Sequence, residues 1–261
     1  MTTPIDKTVL AATLVEAAAN ATGIQPLTNT WPDLDADTAY EIQDAVVQAR
    51  VDAGRVIVGA KTGLTSAAKQ KQMNVGEPLS GILTDDMQID VGEPLVCSRF
   101  IQPRCEVEIA FLLSSDLEGP GVTASDVIAA TALVFPAIDV IDSRFTGYKF
   151  SYPDVIADNC SCAGFVLGGQ GIHPRGIDLR LVGCSLEHNG QLVATAAGAA
   201  VMGHPAAAVA WLVRKLAQRG RGLKAGQVVM CGALTEAVAV QPGDTVVVRF
   251  DRLGTVEVAC R

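Results

Sequence analysis

Two glutamates, separated by one residue, stand near the start of an apolar segment. Glu106 and Glu108 lie in residues 104–113, which are dense in apolar β-formers and predict a β-strand. Side chains alternate between the faces of a strand, so both carboxylates should lie on one face. They repel each other unless a cation lies between them, and carboxylate oxygens suit Mg²⁺ or Mn²⁺. The pair therefore indicates a metal site, unless the segment is an edge strand with charges that deter aggregation.

Lys61 is a second candidate for chemistry. It follows a predicted short strand at residues 56–58 and is flanked by Gly59 and Gly63. Glycine lets a ligand or another backbone approach closely, and a lysine with a buried stem can hold an anion or exchange a proton. The alternative is an ordinary surface lysine in a turn.

Aspartates form a third group of candidates. Asp139 lies in an apolar segment, residues 136–142, where a carboxylate is costly unless it is paired. One of Asp139 and Asp142 should therefore have a cationic partner, and Asp142 could pair with Arg144. Asp86 belongs to an acidic pair in a predicted loop, where aspartates usually bind local backbone.

Other polar motifs are weaker. The stretch that contains Ser161, residues 158–161, could offer hydroxyl and amide groups to a ligand or simply form a turn. The three histidines lack metal-ligand spacing, and neither a nucleophile elbow nor a Walker phosphate loop is present. Catalysis by a serine–histidine pair is therefore weakly supported.

Composition narrows the class of protein. The 261 residues are 49% hydrophobic and 18% charged, which is enough for a sizeable core, and the formal net charge is −8. The sequence has no basic patch of the kind that binds nucleic acid, and no segment predicts a secretory signal or a membrane span. Seven scattered cysteines, an odd number, are expected to be free thiols in a reducing cytoplasm.

Periodicity predicts mainly helices in the first part of the chain and mainly strands in the rest. Helices are expected at residues 5–20, 36–52, 65–73, 123–133 and 205–218, and a long loop at 74–95. Strands are expected at residues 56–58, 104–113, 137–141, 164–167, 228–231, 245–250 and 255–259, with a hairpin turn at 188–191. This order favours an α+β domain with a mostly antiparallel or mixed sheet.

Taken together, these segments resemble the hydratase/decarboxylase family of meta-cleavage pathways, which is related to the fumarylacetoacetate hydrolase fold. The resemblance spans nearly the whole chain in collinear order. The stretches that carry it are residues 59–66, 83–87, 102–111, 136–144, 156–161, 232–235 and 242–244. The resemblance implies a mixed β-sandwich or β-roll core with an N-terminal helical segment at 1–75 and a β-rich catalytic core at 76–261.

The resemblance also implies roles for single residues. It implies a Mg²⁺ or Mn²⁺ site made by Glu106, Glu108 and Asp139, where the family more often has glutamate at the third position. It implies catalytic roles for Lys61, Asp86 and Ser161. The implied substrate contacts are Leu64, Arg144 and Lys149.

Two activities compete within the family. They are decarboxylation of 2-oxo-3-hexenedioate (4-oxalocrotonate) and hydration of 2-hydroxypenta-2,4-dienoate, and residues 117–123 and 142–156 look more like the decarboxylases. A diacid substrate needs a second cationic contact, which Arg144 or Lys149 could supply, unless both are ordinary surface charges. A homo-oligomer, and association with the hydratase of the same pathway, are implied as well. A non-catalytic partner subunit or small-anion binding protein is the alternative outside enzymes.

Overall fold

The computed structural model describes residues 5–66, 70–71 and 75–261. The helices of this part are α1 (Lys7–Ala19), α2 (Ala36–Asp52), α3 (Ala124–Ala130), α4 (Tyr152–Ala157) and α5 (Pro205–Ala217). Their starts are fixed by side-chain caps: Asp6 accepts from the Thr8 amide at 3.0 Å, and Thr123 forms the predicted capping box with Asp126.

The strands form two sheets. They are β1 (Ile57–Gly63), β2 (Leu79–Thr84), β3 (Arg104–Leu113), β4 (Thr131–Ile141), β5 (Cys162–Leu167), β6 (Gly183–His188), β7 (Gln191–Ala197), β8 (Val228–Met230), β9 (Val238–Ala239), β10 (Thr245–Phe250) and β11 (Gly254–Ala259). The larger sheet has the order β2-β1-β8-β3-β4-β5 with β9 also paired to β3, and the smaller has the order β11-β10-β6-β7. Most pairs are antiparallel, but β1 and β8 are parallel, so the sheet is mixed as predicted.

The strand β3 lies inside the larger sheet. It pairs with β4 along its whole length, and with β9 and β8 at its two ends on the other side. The edge-strand interpretation of Glu106 and Glu108 is therefore wrong, because both strand edges are occupied. Between β8 and β9 the chain runs beside the middle of β3, where the Leu234 amide donates to the Val107 carbonyl at 2.8 Å.

Each face of the larger sheet covers its own apolar core. Odd-numbered residues of β3, such as Val107 and Ile109, belong to the core shared with the smaller sheet and α5. Ala110 belongs to the core shared with α1, α2 and α4. Since alternate side chains share a face, Glu106 and Glu108 point to the side of the N-terminal helices.

Three predicted elements need correction. The expected loop at 74–95 contains β2, whose residues are all buried and so lack the alternation that identifies a strand. The short strand at 56–58 extends as β1 to Gly63, so Lys61 lies within the strand and not after it. The helix expected to reach residue 133 ends at Ala130, because the β-rich segment that follows begins β4 at once.

Other predicted elements are confirmed within a few residues, including α1, α2, α5 and the hairpin turn at Asn189–Gly190. The predicted helix at 65–73 falls largely on residues 67–69 and 72–73, outside the described residues. The division at residues 75 and 76 stays a prediction, although β1, which precedes it, belongs to the larger sheet.

Two further observations concern the whole chain. All seven cysteines are buried free thiols, as predicted. Among the residues that the structure describes, no helix combines the length and apolarity that a membrane crossing requires.

Candidate active site

Three carboxylates from two neighbouring strands converge at one point. Glu106 and Glu108 come from β3, and Asp139 lies directly opposite Glu106 on β4. One ligand oxygen from each of the three lies within 4.8 Å of the others. Glu108 and Asp139 are fully buried, whereas Glu106 is half-buried, so the cluster opens on the Glu106 side.

Lys61 reaches this carboxylate cluster from β1. Its side chain is almost fully buried, and its ammonium donates to Asp139 Oδ2. Burial alone would lower the pKa of Lys61, but the negative charges around it, Asp139 first among them, together outweigh burial and raise that pKa well above the usual value. Asp139 therefore has the cationic partner that the sequence predicted.

Among the residues that the structure describes, the charges of the cluster do not balance. Three ionised carboxylates and one ammonium give a formal charge of −3 + 1 = −2 in a buried place. Burial, and then the negative charge of Asp139, raise the pKa of Glu108 well above its usual value. Such an excess of buried negative charge is stable only if protons or a metal cation neutralise it.

Glu108 shows how a cation would fit. Its Oε2 accepts a 2.7 Å hydrogen bond from the Gly232 amide, whereas Oε1 is buried and has no hydrogen-bond partner among the described residues. One oxygen is thus fixed by the protein and the other is available. With an all-oxygen donor set from three carboxylates, the cluster suits a hard divalent cation such as Mg²⁺ or Mn²⁺.

Gly232 takes a backbone conformation that favours glycine. Its φ is +102°, and a Cβ there would lie 2.5 Å from atoms of the Thr65 side chain. Both the angle and the contact exclude a side chain, and together they place the amide that Glu108 accepts from.

A strained turn lies beside Lys61. Asn159, Cys160 and Ser161 all have positive φ, at 50°, 58° and 52°. The Asn159 side chain holds the turn against β2 by bonding the Ile82 amide at 2.8 Å and the Ile82 carbonyl at 2.9 Å. The Cys160 thiol packs where a Cβ on Gly63 would lie, so this glycine permits the approach.

Arg144 is engaged by protein groups. Its guanidinium pairs with Asp158 and donates to the Cys162 carbonyl at 3.1 Å, and it is buried. The predicted pairing of Asp142 with Arg144 is wrong, because Asp142 instead accepts from the backbone amides of residues 101 and 102 at 2.9 and 2.7 Å. Backbone amides satisfy that carboxylate without a cation.

Other predicted site residues lie in different surroundings. Ser161 donates to Asp158 Oδ2 at 3.2 Å, and Lys149 is exposed. Leu64 follows β1 with a φ of +54°, half-buried at the end of the strand that carries Lys61. Their roles stay predictions.

Asp86 lies away from the cluster along the strands. It bonds Arg50 at 2.7 Å and lies five residues beyond Gly81, the partner of Lys61 in the β1–β2 pair. A strand rises about 3.3 Å per residue, which separates Asp86 from Lys61 by roughly 15 Å along the sheet. The structure therefore brings together Lys61, Glu106, Glu108 and Asp139, and leaves Asp86 apart.

Comparison with known proteins agrees with this geometry. Residues 56–260 match the family described as fumarylacetoacetate (FAA) hydrolase C-terminal. The chain belongs to this family. Among its relatives is 4-oxalocrotonate decarboxylase of Pseudomonas putida, 42% identical over 247 residues, which are 95% of this chain and 94% of the relative. Another is 2-keto-4-pentenoate hydratase of Paraburkholderia xenovorans (strain LB400), 41% identical over 254 residues, 97% and 94% of the two chains.

A solved structure of a family member is similar over almost the whole chain. It is 4-oxalocrotonate decarboxylase from Pseudomonas putida G7, complexed with magnesium and adipate. The TM-score is 0.95 at 40% sequence identity, with 98% of this chain and 97% of that chain covered. The α+β fold predicted from the sequence is thus confirmed as that of the fumarylacetoacetate hydrolase family.

Two residues that shape the surroundings of the cluster were not singled out from the sequence. Gly232 was recognised only as part of a matching stretch, since a backbone amide leaves no signal in side-chain patterns. Cys160 was recognised only within a polar turn, because its approach to Gly63 depends on how distant strands pack.

Proposed function

We propose that the protein is a Mg²⁺-dependent lyase that converts 2-oxo-3-hexenedioate (4-oxalocrotonate) to 2-hydroxypenta-2,4-dienoate and CO₂. The observation that carries this proposal is the buried cluster of Glu106, Glu108 and Asp139 with Lys61 beside it. The decarboxylase relatives support it, and so does adipate in the solved relative, since adipate is itself a dicarboxylate.

The residues of the chain have distinct tasks in this reaction. Glu106, Glu108 and Asp139 would hold the metal, and Gly232 keeps Glu108 in place. When bound, Mg²⁺ supplies Lewis-acid stabilisation of the negative charge that develops on the ketone oxygen.

The electron flow determines where a proton is needed. The bond between C5 and C6 breaks, its electron pair moves through the C3–C4 double bond to the ketone oxygen, and C6 leaves as CO₂. The oxygen must then gain a proton to give the 2-hydroxydienoate. Lys61, which stays charged beside Asp139, holds a proton at Nζ on the same face of the sheet.

Hydration of 2-hydroxypenta-2,4-dienoate is the second candidate. A hydratase relative of 41% identity favours it. The same carboxylate cluster would hold the metal in either reaction. In the hydration one water is added across the diene, as a proton and a hydroxyl group, and no carboxylate is lost.

A direct assay tests the proposal. Protein stripped with EDTA receives 4-oxalocrotonate or 2-hydroxypenta-2,4-dienoate, with and without added Mg²⁺, and ultraviolet absorbance is followed. We expect Mg²⁺-dependent loss of 4-oxalocrotonate alone. Loss of hydroxypentadienoate alone would assign the hydratase, and loss of neither with Mg²⁺ present would favour a non-catalytic binding protein.

The proposal includes an assembly in the cytoplasm. By analogy with the family, the chain forms a homo-oligomer and associates with the hydratase that consumes its product. Light scattering after size exclusion, with the protein alone and mixed with a pathway hydratase, tests both parts. A monomer that elutes unchanged in the mixture would contradict them.

A further inference from the structure

Arg104 lies on the same strand face as the metal-ligand carboxylates. Residues 104, 106 and 108 of β3 alternate with core residues, so their side chains point to one side of the sheet. Glu108 is fully buried, whereas Glu106 and Arg104 are half-buried. The row therefore leads from the buried end of the cluster to its open end, where Arg104 lies.

The guanidinium of Arg104 is positioned without being neutralised. It stacks over the Tyr148 ring with 3.9 Å from Cζ to the ring centroid. Within residues 5–66, 70–71 and 75–261, the structure gives Arg104 no ion pair and no side-chain hydrogen bond. The guanidinium of Arg144, by contrast, donates its hydrogen bonds to Asp158 and to the Cys162 carbonyl.

Tyr148 is itself held in place. Its φ is +55°, a strained conformation for a tyrosine, and its hydroxyl donates to the Ile141 carbonyl at 3.0 Å. Its ring also lies 6.2 Å from that of Phe150. Strain of this kind persists where the surroundings fix it, often at binding sites. The arginine thus rests on a fixed aromatic surface and keeps its donors for a ligand.

We propose that Arg104 binds the distal carboxylate of a dicarboxylate 2-oxo acid and thereby selects diacids over monoacids. This inference rests on the proposed function, since it assumes that the 2-oxo acid end lies at the metal ligands. Residues two apart on a strand are separated by about 7 Å. A six-carbon chain spans on the order of 6 Å, given C–C bonds of about 1.5 Å. A six-carbon diacid therefore fits between the cluster and Arg104.

The chemistry predicts which kinetic constant this contact controls. The distal carboxylate is the group that leaves as neutral CO₂, so its attraction to Arg104 weakens as the C–C bond breaks. A contact that is stronger in the bound substrate than in the transition state aids binding and does not accelerate the reaction. Loss of Arg104 should therefore raise KM strongly and change kcat by a smaller factor.

A matched pair of ligands tests the proposal by binding, independently of turnover. The probes are 2-oxoadipate and 2-oxohexanoate, which differ only in the distal carboxylate, titrated calorimetrically into the Mg²⁺-loaded protein. We expect the wild type to prefer 2-oxoadipate. Arg104→Met should weaken that ligand about 10- to 100-fold, the range of a charged hydrogen bond, and leave 2-oxohexanoate nearly unchanged.

Lys149→Met tests the competing contact, because this exposed lysine was predicted to serve the same carboxylate. The control is Arg175→Met, which removes an exposed arginine outside the site. Both variants should keep the preference for 2-oxoadipate. Equal weakening of both ligands in Arg104→Met, or transfer of the effect to Lys149→Met, would overturn the proposal. A wild type that prefers 2-oxoadipate but turns over neither pathway substrate would instead refute the proposed reaction and leave Arg104 as the diacid contact.

Discussion

Two buried clusters of cations and carboxylates lie on the helix side of the larger sheet, and they differ in charge balance. In the first, Arg144 faces one carboxylate, Asp158, which also accepts from the Arg144 amide and the Ser161 hydroxyl, both at 3.2 Å. In the second, Lys61 faces three carboxylates, and the buried Oε1 of Glu108 has no hydrogen-bond partner among the described residues.

The difference separates a structural ion pair from a site for chemistry. A balanced and hydrogen-bonded pair needs nothing more, and its cost of burial is offset within the protein. A cluster whose described charges are unbalanced holds negative charge that protons or a cation neutralise, which is typical of active sites. Burial alone does not distinguish the two clusters, because both are buried to a similar extent.

The largest effect is expected from removing the excess charge. The double variant Glu106→Gln, Glu108→Gln keeps the shape of both side chains but should lose Mg²⁺ binding and at least about 100-fold in turnover. It should stay folded, because repulsion between the carboxylates is also removed. Turnover assays and thermal unfolding check this, with the exposed Glu257→Gln as control. Normal turnover of the double variant in metal-free buffer would refute the metal site.

Replacing Lys61 removes the positive charge of the carboxylate cluster. Lys61→Met should lower turnover by about 100- to 10,000-fold, the range for a lost proton-transfer group. It should bind Mg²⁺ at least as tightly, because a positive charge beside the carboxylates is gone. Calorimetric titration with Mg²⁺ separates the two effects. Unchanged turnover would remove Lys61 from the reaction, and weaker Mg²⁺ binding would mean that it mainly orders Asp139.

A change in the balanced pair, Arg144 and Asp158, should affect the stability of the fold and not metal binding. Asp158→Asn leaves the buried Arg144 uncompensated and should lower the free energy of unfolding by about 3–5 kcal/mol. Mg²⁺ affinity should change little, because Arg144 and Asp158 do not belong to the carboxylate cluster. Chemical denaturation checks the first part, with the exposed Asp90→Asn as control. A variant of normal stability that binds Mg²⁺ poorly would reverse the roles assigned to the clusters.

The sequence predicted the metal ligands better than it predicted their surroundings. Glu106 and Glu108 are two apart on a strand with clear alternation, so their common face follows from local geometry. Asp139 could be recognised as costly in an apolar strand, but its position opposite Glu106 is a register that only the β3–β4 pairing sets. The strand β2 was missed because burial on both faces removes the periodic signal.

Partners of charged groups were the least predictable part. Arg144 is two residues from Asp142, yet it pairs with Asp158, because backbone amides at residues 101 and 102 already satisfy Asp142. Arg104 was overlooked as a contact although it continues the spacing of the two glutamates. Long-range packing decides such pairings, whereas local spacing decides only which residues share a face.

Protonation offers a more graded test of the imbalance. Burial and the charge of Asp139 raise the pKa of Glu108 in the metal-free protein, so metal binding displaces a proton at any pH below that pKa. Mg²⁺ affinity should therefore increase as the pH rises through that pKa, with proton release that depends on the buffer in calorimetry. The free energy of unfolding of the metal-free protein should show the opposite trend. A pKa of Glu108 that is higher in the folded than in the unfolded state stabilises the fold at low pH, and this stabilisation is lost as the pH rises. Affinity independent of pH would show that Glu108 is already ionised.

The smallest effect is expected from the backbone that supports Glu108. Gly232→Ala adds a Cβ at 2.5 Å from the Thr65 side chain and strains a φ of +102°, so the amide that Glu108 accepts from must shift. Supporting hydrogen bonds to metal ligands are worth about 10- to 100-fold in metal affinity, and we expect the lower end because the carboxylate itself remains.

Gly243→Ala is the matched control for this change. Gly243 has a similar φ of +94°, but a Cβ there meets no atom within 4 Å. Both variants should lose stability through backbone strain, whereas only Gly232→Ala should lose Mg²⁺ affinity. If both variants bind Mg²⁺ as the wild type does, Glu108 keeps its orientation without the Gly232 amide. The charge imbalance alone would then account for the metal site, and the preformed geometry would contribute little.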